Sequence, residues 1–160
     1  MTLDADDFRA ALGQLASGVS VVSMCVAGTD HGFTATSVTS LSLSPMLVLV
    51  CVAHGQRCHD LLQEAGHFAI SMLDSAQTEL GVRFATGLAE QRFVGLALHR
   101  AHTGAPILAD SLAWLDCSIC EIYPGGDHSI VIGEVHSASA RENGLPLVYF
   151  RRRWGTFREL

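Results

Sequence analysis

The sequence is short of charge. Only 16% of its 160 residues are Asp, Glu, Lys or Arg, and the balance is acidic, −6 at pH 7. A protein whose main partner is nucleic acid needs a basic field to meet phosphates, and the single basic run here, Arg151-Arg152-Arg153, is local. Long apolar runs are missing too. The longest, "MLVLVCVA" over 46–53, falls well short of the ~20 residues that span a bilayer. No basic leader opens the chain, since "MTLDADDFRA" is acidic where a secretory or mitochondrial presequence is basic. These absences predict a cytoplasmic protein with neither a membrane nor a nucleic acid as partner. Five cysteines (25, 51, 58, 117, 120) are odd in number and lack framework spacing, which fits reduced, mostly buried thiols.

The fingerprints of common nucleotide and hydrolase folds are also absent. "GQLASGVS" (13–20) lacks the lysine of a phosphate loop, and no G-x-G-x-x-G follows a strand. No G-x-S-x-G elbow supports a serine hydrolase. Cys117 and Cys120 have C-x-x-C spacing, but in a strand residues three apart face opposite ways, so they share neither a disulfide nor a metal. Among eight histidines, His99 and His102 are the closest pair, and no carboxylate–histidine pattern surrounds them; no metal site is expected.

What is present is core material: hydrophobic residues make up 49% of the chain, enough for one domain over 1–160. Sparse charge and 15 glycines hint that another subunit covers some apolar surface. "DADDFRAALGQLASG" reads as an opening helix with Phe8, Leu12 and Leu15 on one face and Gly18 to end it. Strands are predicted at 19–27, 33–44, 46–53 (fully buried), 67–73, 111–123, 129–140 and 146–150, with a turn at 28–32. Further helices are expected at 57–66 and 74–87, the latter opened by an Asp74/Gln77 capping box. Without regular strand–helix alternation, this pattern points to a mainly β, antiparallel barrel with a few short flanking helices.

Three stretches carry polar chemistry. "TATSVTSLS" (34–42) is a strand loaded with hydroxyls: a solvated face, or a row of donors and acceptors for a polar ligand without charge. Arg57 and Cys58 open a helix, and a helix N-terminus with an arginine is a ready anion site. "YPGGDHSIVIGEV" (123–135) places His128 at the mouth of an apolar strand, just after a Gly-Gly-Asp turn.

In order, these pieces resemble the flavin reductase family, the FMN-binding split barrel that serves two-component flavin-dependent monooxygenases. "FRAALGQLASGVSVVS", "HGFTATSVTSLSLSPMLVLVCVA", "HFAISML…Q…RFA", "GDHSIVIGEV" and "PLVYFRRRWG" carry the resemblance from about Phe8 to Phe157. Within the family the look is that of reductases serving antibiotic-pathway monooxygenases of the actinorhodin type. Two departures are visible: Pro45-Met46 stands for the usual Pro-Pro, and Phe150 and Trp154 stand where tyrosines are common. The resemblance implies an antiparallel split β-barrel and an NADH-dependent flavin reductase. It would reduce FMN or FAD with NADH (NADPH being the alternative), work as a homodimer and supply reduced flavin to a separate monooxygenase.

Carried over by residue, Thr36, Ser37 and Ser40 would meet the flavin ring edge and ribityl chain. Cys51, Val52 and Ala53 would line the ring, while Arg57 and Cys58 would hold the phosphate, with Arg83, beside Phe84, within approach of it. His128, the one catalytic assignment, would orient the nicotinamide or the flavin edge, with Tyr149, Arg151 and Trp154 near the dinucleotide. Two alternatives remain open on sequence: a non-catalytic flavin-storage protein on the same fold, and a flavoprotein reductase of another acceptor such as a corrinoid or ferric chelate.

Overall fold

The computed structural model describes residues 4–159. Its elements begin with α1 (Ala5–Leu12), β1 (Ser17–Gly18), β2 (Ser20–Val26), β3 (Thr29–Ala35), β4 (Thr39–Leu43) and β5 (Met46–Ala53). Then come α2 (Arg57–Ala65), β6 (His67–Met72), a 3₁₀ turn at Ser75–Gln77, α3 (Thr78–Thr86) and a second such turn at Ala89–Gln91. The chain continues through β7 (Leu98–His99), β8 (Ile107–Leu108), β9 (Ala113–Gly125), β10 (His128–Ala140), β11 (Leu147–Phe150) and β12 (Arg153–Thr156).

The fold is mainly β. Seven strands pair antiparallel in the order β3-β2-β6-β9-β10-β5-β4. The two edges, β3 and β4, are consecutive in the chain and joined only by Thr36-Ser37-Val38. A chain reaches at most about 3.6 Å per residue, whereas seven strands laid flat extend over roughly six spacings of 4.8 Å. The sheet must therefore curl until its edges face one another, with residues 36–38 in the gap.

Inside the curl lies the main core: Val22, Met24, Val48, Val50, Phe68 and Ile70, closed by Leu62 of α2. A second core forms on the other side of β2, where Val19, Val21, Leu73, Phe84 and Leu147 pack beneath α3 and the small β1-β11-β12 sheet. Val21 and Val22, neighbours in β2, are both fully buried because that strand has a core on each face. Close packing also explains two glycines. A Cβ on Gly133 would lie 2.5 Å from the Phe68 ring, and one on Gly81 would lie 3.1 Å from Trp154.

Several boundaries differ from the sequence reading. The opening helix stops at Leu12 with Gly13 as its cap, and Gly18 lies in β1. No residue of α1 is buried; Phe8, Leu12 and Leu15 are 52%, 56% and 68% exposed. The turn expected at 28–32 is tighter: Ala27 and Gly28, both with positive φ, make a two-residue hairpin, so His31 and Gly32 belong to β3. The hydroxyl-rich stretch 33–44 is two strands rather than one, because the chain changes sheet edge at 36–38. β5 is not buried on both faces: Val48, Val50 and Val52 point into the core, while Leu47, Leu49, Cys51 and Ala53 are half-buried. The Asp74/Gln77 capping box is present, although it opens the 3₁₀ turn that leads into α3.

Candidate functional site

Three adjoining cavities, which together form a groove, run along the gap in the sheet and share wall residues. At one end a cavity of about 280 Å³ lies between β3, α2 and α3, lined by His31, Thr34, Arg57, Cys58 and Arg92. It shares Phe33, Thr34 and Gln56 with a middle section of about 210 Å³, where Thr36, Ser37, Cys51, Ala53 and His128 meet. Thr36 and Ser37 continue into an open section of about 500 Å³ beside Tyr149, Arg151 and the exposed face of α1.

The first end gathers positive charge and backbone amides. Gln56, the residue before α2, makes no side-chain cap, so the Arg57 and Cys58 amides remain free for a ligand, while His59 N donates to Gln56 O at 2.9 Å. Arg57 faces the same cavity, and Arg92 reaches it from the far wall with its Nη1 donating to Gly32 O at 2.6 Å. Arg57 and burial together hold the His31 imidazole below its ordinary pKa, burial being the larger cause. Cys58 is buried with its Sγ 3.7 Å from Gly32 O, and burial pushes its thiol up. Its side chain is thus a wall, inert as a nucleophile.

The middle section is placed by two local devices. Gly125 and His128 pair across the β9–β10 hairpin, and Gly126 alone of the two turn residues has positive φ. That turn puts His128 at the start of β10, opposite Ala53 of β5, where period-2 alternation brings both to the groove face. The His128 side chain is 44% exposed and its Nδ1 lies 2.6 Å from Asp127 Oδ1. This hydrogen bond, followed by attraction to the imidazole, holds the Asp127 carboxyl below the usual carboxylate range. With Nδ1 bonded to the carboxylate, Nε2 is the atom left for a ligand.

Opposite, Ser37 donates to Cys51 O and accepts from Cys51 N, both at 3.1 Å. Its hydroxyl secures the end of β5, and Thr34 Oγ1 is likewise engaged, donating to Gly81 O at 2.7 Å. Thr36 stays exposed in the groove.

The groove therefore unites Thr36, Ser37, Cys51, Ala53, Arg57, Cys58 and His128, with Tyr149 and Arg151 at its open end. Arg151 is held there by Gln14, whose Oε1 accepts from Nε at 2.8 Å.

Four expected residues lie elsewhere. Ser40 sits on β4 opposite Val48, exposed and outside the groove wall. Val52 alternates into the core, so only its two strand neighbours face the groove. Arg83 turns its guanidinium to the loop after α3, donating to Gln91 O at 3.0 Å and Val94 O at 2.6 Å. Trp154 packs on Gly81 and Leu147 in the second core and meets the Tyr149 ring edge-on at 5.1 Å.

His31, Gln56 and Arg92 line the groove without having been singled out by the sequence. Arg92 lies 35 residues from Arg57, in a loop with no motif of its own, so only the fold relates them.

Among the described residues no group of three or more His, Cys, Asp or Glu is placed to hold a metal. Cys117 is buried, its thiol pushed up to about 12 mainly by burial, and Cys120 is exposed at the register shift between β9 and β10. No helix among the described residues is long and apolar enough to cross a membrane.

The chain resembles known proteins along most of its length. The chain is 38% identical over 155 residues to the actinorhodin polyketide dimerase of Streptomyces coelicolor, covering 96% of this chain and 87% of that protein. It is 39% identical over 145 residues to the reductase component of 4-hydroxyphenylacetate 3-monooxygenase from Thermus thermophilus, covering 91% of each. Among solved structures, the NADH:FAD oxidoreductase SgcE6 of Streptomyces globisporus C-1027, in complex with NAD and FAD fragments, superposes with a TM-score of 0.90. That match has 33% identity over 99% of this chain and 97% of the other. Residues 12–158 match the family described as "Flavin reductase like domain", and the chain belongs to that family.

Proposed function

We propose that this protein is an NAD(P)H:flavin oxidoreductase that reduces FMN or FAD and releases it to a separate monooxygenase. The observation that carries the reading is that the cavities adjoin, with Phe33, Thr34 and Gln56 as shared walls. One end offers free helix amides with Arg57 and Arg92, and the middle offers neutral walls with one imidazole. A flavin nucleotide has the matching shape: a phosphate, a polyol chain and a flat ring whose edge takes hydrogen bonds. Arg57, Arg92 and the first turn of α2 would hold the phosphate. Thr36 and the backbone around Cys51 and Ala53 would meet the chain and ring.

When bound, the flavin supplies the hydride-accepting chemistry itself, so the protein needs no strong acid or nucleophile. His128 has the role of orienting the donor, since its Nε2 faces the groove and exclusion of misaligned poses is the main gain. Few charges touch the middle section, which fits moderate affinity and release better than permanent capture.

The family reading extends to architecture and assembly. A sheet whose consecutive edges face each other across residues 36–38 fits a split barrel, and the chain is one flavin reductase-like domain. The half-buried outer face of β5, with exposed Leu43 and Met46 beside it and the bare apolar face of α1, fits coverage by a second copy of this chain. NADH is the expected donor, by likeness to SgcE6.

Purified protein mixed with each flavin and each nicotinamide tests the reading through the loss of near-ultraviolet absorbance as the nicotinamide is oxidised. Saturation by free flavin supports it. Tight stoichiometric flavin without turnover would favour storage, and turnover only with an added corrinoid or ferric chelate would favour another acceptor.

A further inference from the structure

Behind the groove, three side chains from three elements meet at one oxygen. Ser129 is only 7% exposed, and its Oγ lies 3.1 Å from His54 Nε2 and 2.9 Å from His59 Nε2. His54 belongs to the turn after β5, His59 to the first turns of α2, and Ser129 to β10 directly after His128. The two imidazoles meet edge to face at 4.9 Å.

The donors and acceptors order themselves. A carboxylate only accepts, so Asp60 Oδ1, 2.8 Å from His59 Nδ1, places a proton on that nitrogen. In that tautomer Nε2 is an acceptor, and Ser129 donates its single proton to it. The Ser129 oxygen is left to accept from His54 Nε2–H. Gln63 Nε2 also approaches the His59 ring, 3.2 Å from Nε2 and 3.4 Å from Nδ1. In addition, His54 N donates to Asp127 O at 3.0 Å, so the same turn is tied to the hairpin that carries His128.

Ser129 and His128 are neighbours in a strand and so face opposite sides of it. One looks into the groove, and the other holds the segment that leads into the anion end.

We propose that Ser129 is a positioning residue for phosphate binding: by bridging His54 and His59, it fixes the β5–α2 turn, and with it Arg57 and the free amides of α2, against the His128 strand. This rests on the reading of the α2 end as the flavin phosphate site. Without the hydroxyl, the turn over His54–Gln56 keeps only its backbone contacts and the helix start loses its registration. The ring-binding section is walled mainly by β3, β5 and residues 36–38, and only Gln56 and His128 connect it to this turn.

The probes are FMN and riboflavin, which differ only in the phosphate. The ratio of their dissociation constants reports phosphate binding alone, and a general loss of stability moves both constants together. Ser129→Ala is expected to shrink the FMN preference about tenfold, the effect of losing a buried hydrogen-bonded bridge, with riboflavin affinity changed far less. His59→Phe should shrink it by a similar factor, and the double variant by no more than either alone, because the residues act as one network. Ser129→Thr, which restores a hydroxyl, should recover the preference.

A Ser129→Ala ratio within twofold of wild type, while Arg57→Ala collapses it, overturns the bridge and leaves the phosphate site standing. An unchanged ratio in Arg57→Ala overturns the phosphate assignment and the bridge together.

Discussion

Ser37 stands where the β4–β5 ladder would place its next residue opposite Cys51, but it pairs through its side chain. Thr39 faces Leu49 in register, and two residues on the hydroxyl of Ser37 takes both the amide and the carbonyl of Cys51 at 3.1 Å. A side chain thereby substitutes for backbone at the point where the chain leaves β4's edge to cross to β3's.

Ser37→Ala should therefore act on structure and binding at once. It strands a half-buried N–H and C=O, at a cost of about 1–2 kcal/mol. The Cys51 backbone should lose its fixed orientation toward the groove, and flavin affinity should fall with it. Thermal unfolding and a flavin fluorescence titration check the two effects. An unchanged titration would mean that Cys51 does not meet the ring.

His128 should separate binding from turnover. Its side chain is 44% exposed on a hairpin secured by backbone pairs, so His128→Ala removes little packing. The expected result is a drop in NADH oxidation of at least about tenfold, typical of losing an orienting contact, with flavin affinity changed far less. Unchanged turnover at saturating flavin would remove His128 from the mechanism.

The three arginines near the anion end should behave as two classes. Arg57 and Arg92 line the cavity, Arg92 while also donating to the Gly32 and Gly87 carbonyls, whereas Arg83 lies outside it with its guanidinium on the Gln91 and Val94 carbonyls. Arg57→Ala and Arg92→Ala should each weaken FMN by roughly tenfold or more, as expected for a charged hydrogen bond to phosphate, and leave riboflavin unmoved. Arg83→Ala should lower the unfolding temperature by loosening the loop after α3 without changing the FMN preference. A selective FMN defect in Arg83→Ala would reverse the two assignments.

That division marks what a sequence can and cannot show here. The hairpin at Gly125–His128 was legible because turn chemistry is local: two glycines, an Asp and an apolar run specify it within a few residues. The α2 start was legible for the same reason. Val52 and Ser40 were misplaced because a motif names a segment, while facing is decided by strand parity and by which edge the strand joins. Arg83 and Trp154 were misplaced because their partners, the Gln91 and Val94 carbonyls and the bare surface of Gly81, lie in other elements. Arg92 was invisible for the converse reason: nothing near it in sequence marks it, and only the packing of its loop against β3 brings it to Arg57's cavity. The crossing at Thr36–Val38 had no signature either, since a run of Thr and Ser reads as one strand whether or not it changes partners.

His31 gives the groove a pH dependence whose sign is fixed by its surroundings. Burial chiefly, and then Arg57, lower its pKa from 6.5, against smaller opposing pulls from Asp30 and Glu64. In the free protein its neutral form is favoured, so its contribution to stability is full above the unfolded value near 6.5 and is lost as pH falls through the lower folded value. The group is largely solvated, and that effect should be small. A phosphate bound beside Arg57 opposes the shift and pulls the imidazole pKa back up. Proton uptake then accompanies FMN binding, and FMN should gain affinity relative to a His31→Gln variant as pH is lowered from about 8 to about 6. The comparison with the variant is needed because the phosphate itself takes a proton near pH 6 and weakens binding in both proteins. Titrations of FMN and riboflavin into each protein across this range should show a wild-type advantage that grows toward acid for FMN and stays flat for riboflavin. An advantage that is flat for both would place the phosphate out of reach of His31 and move the anion end away from β3.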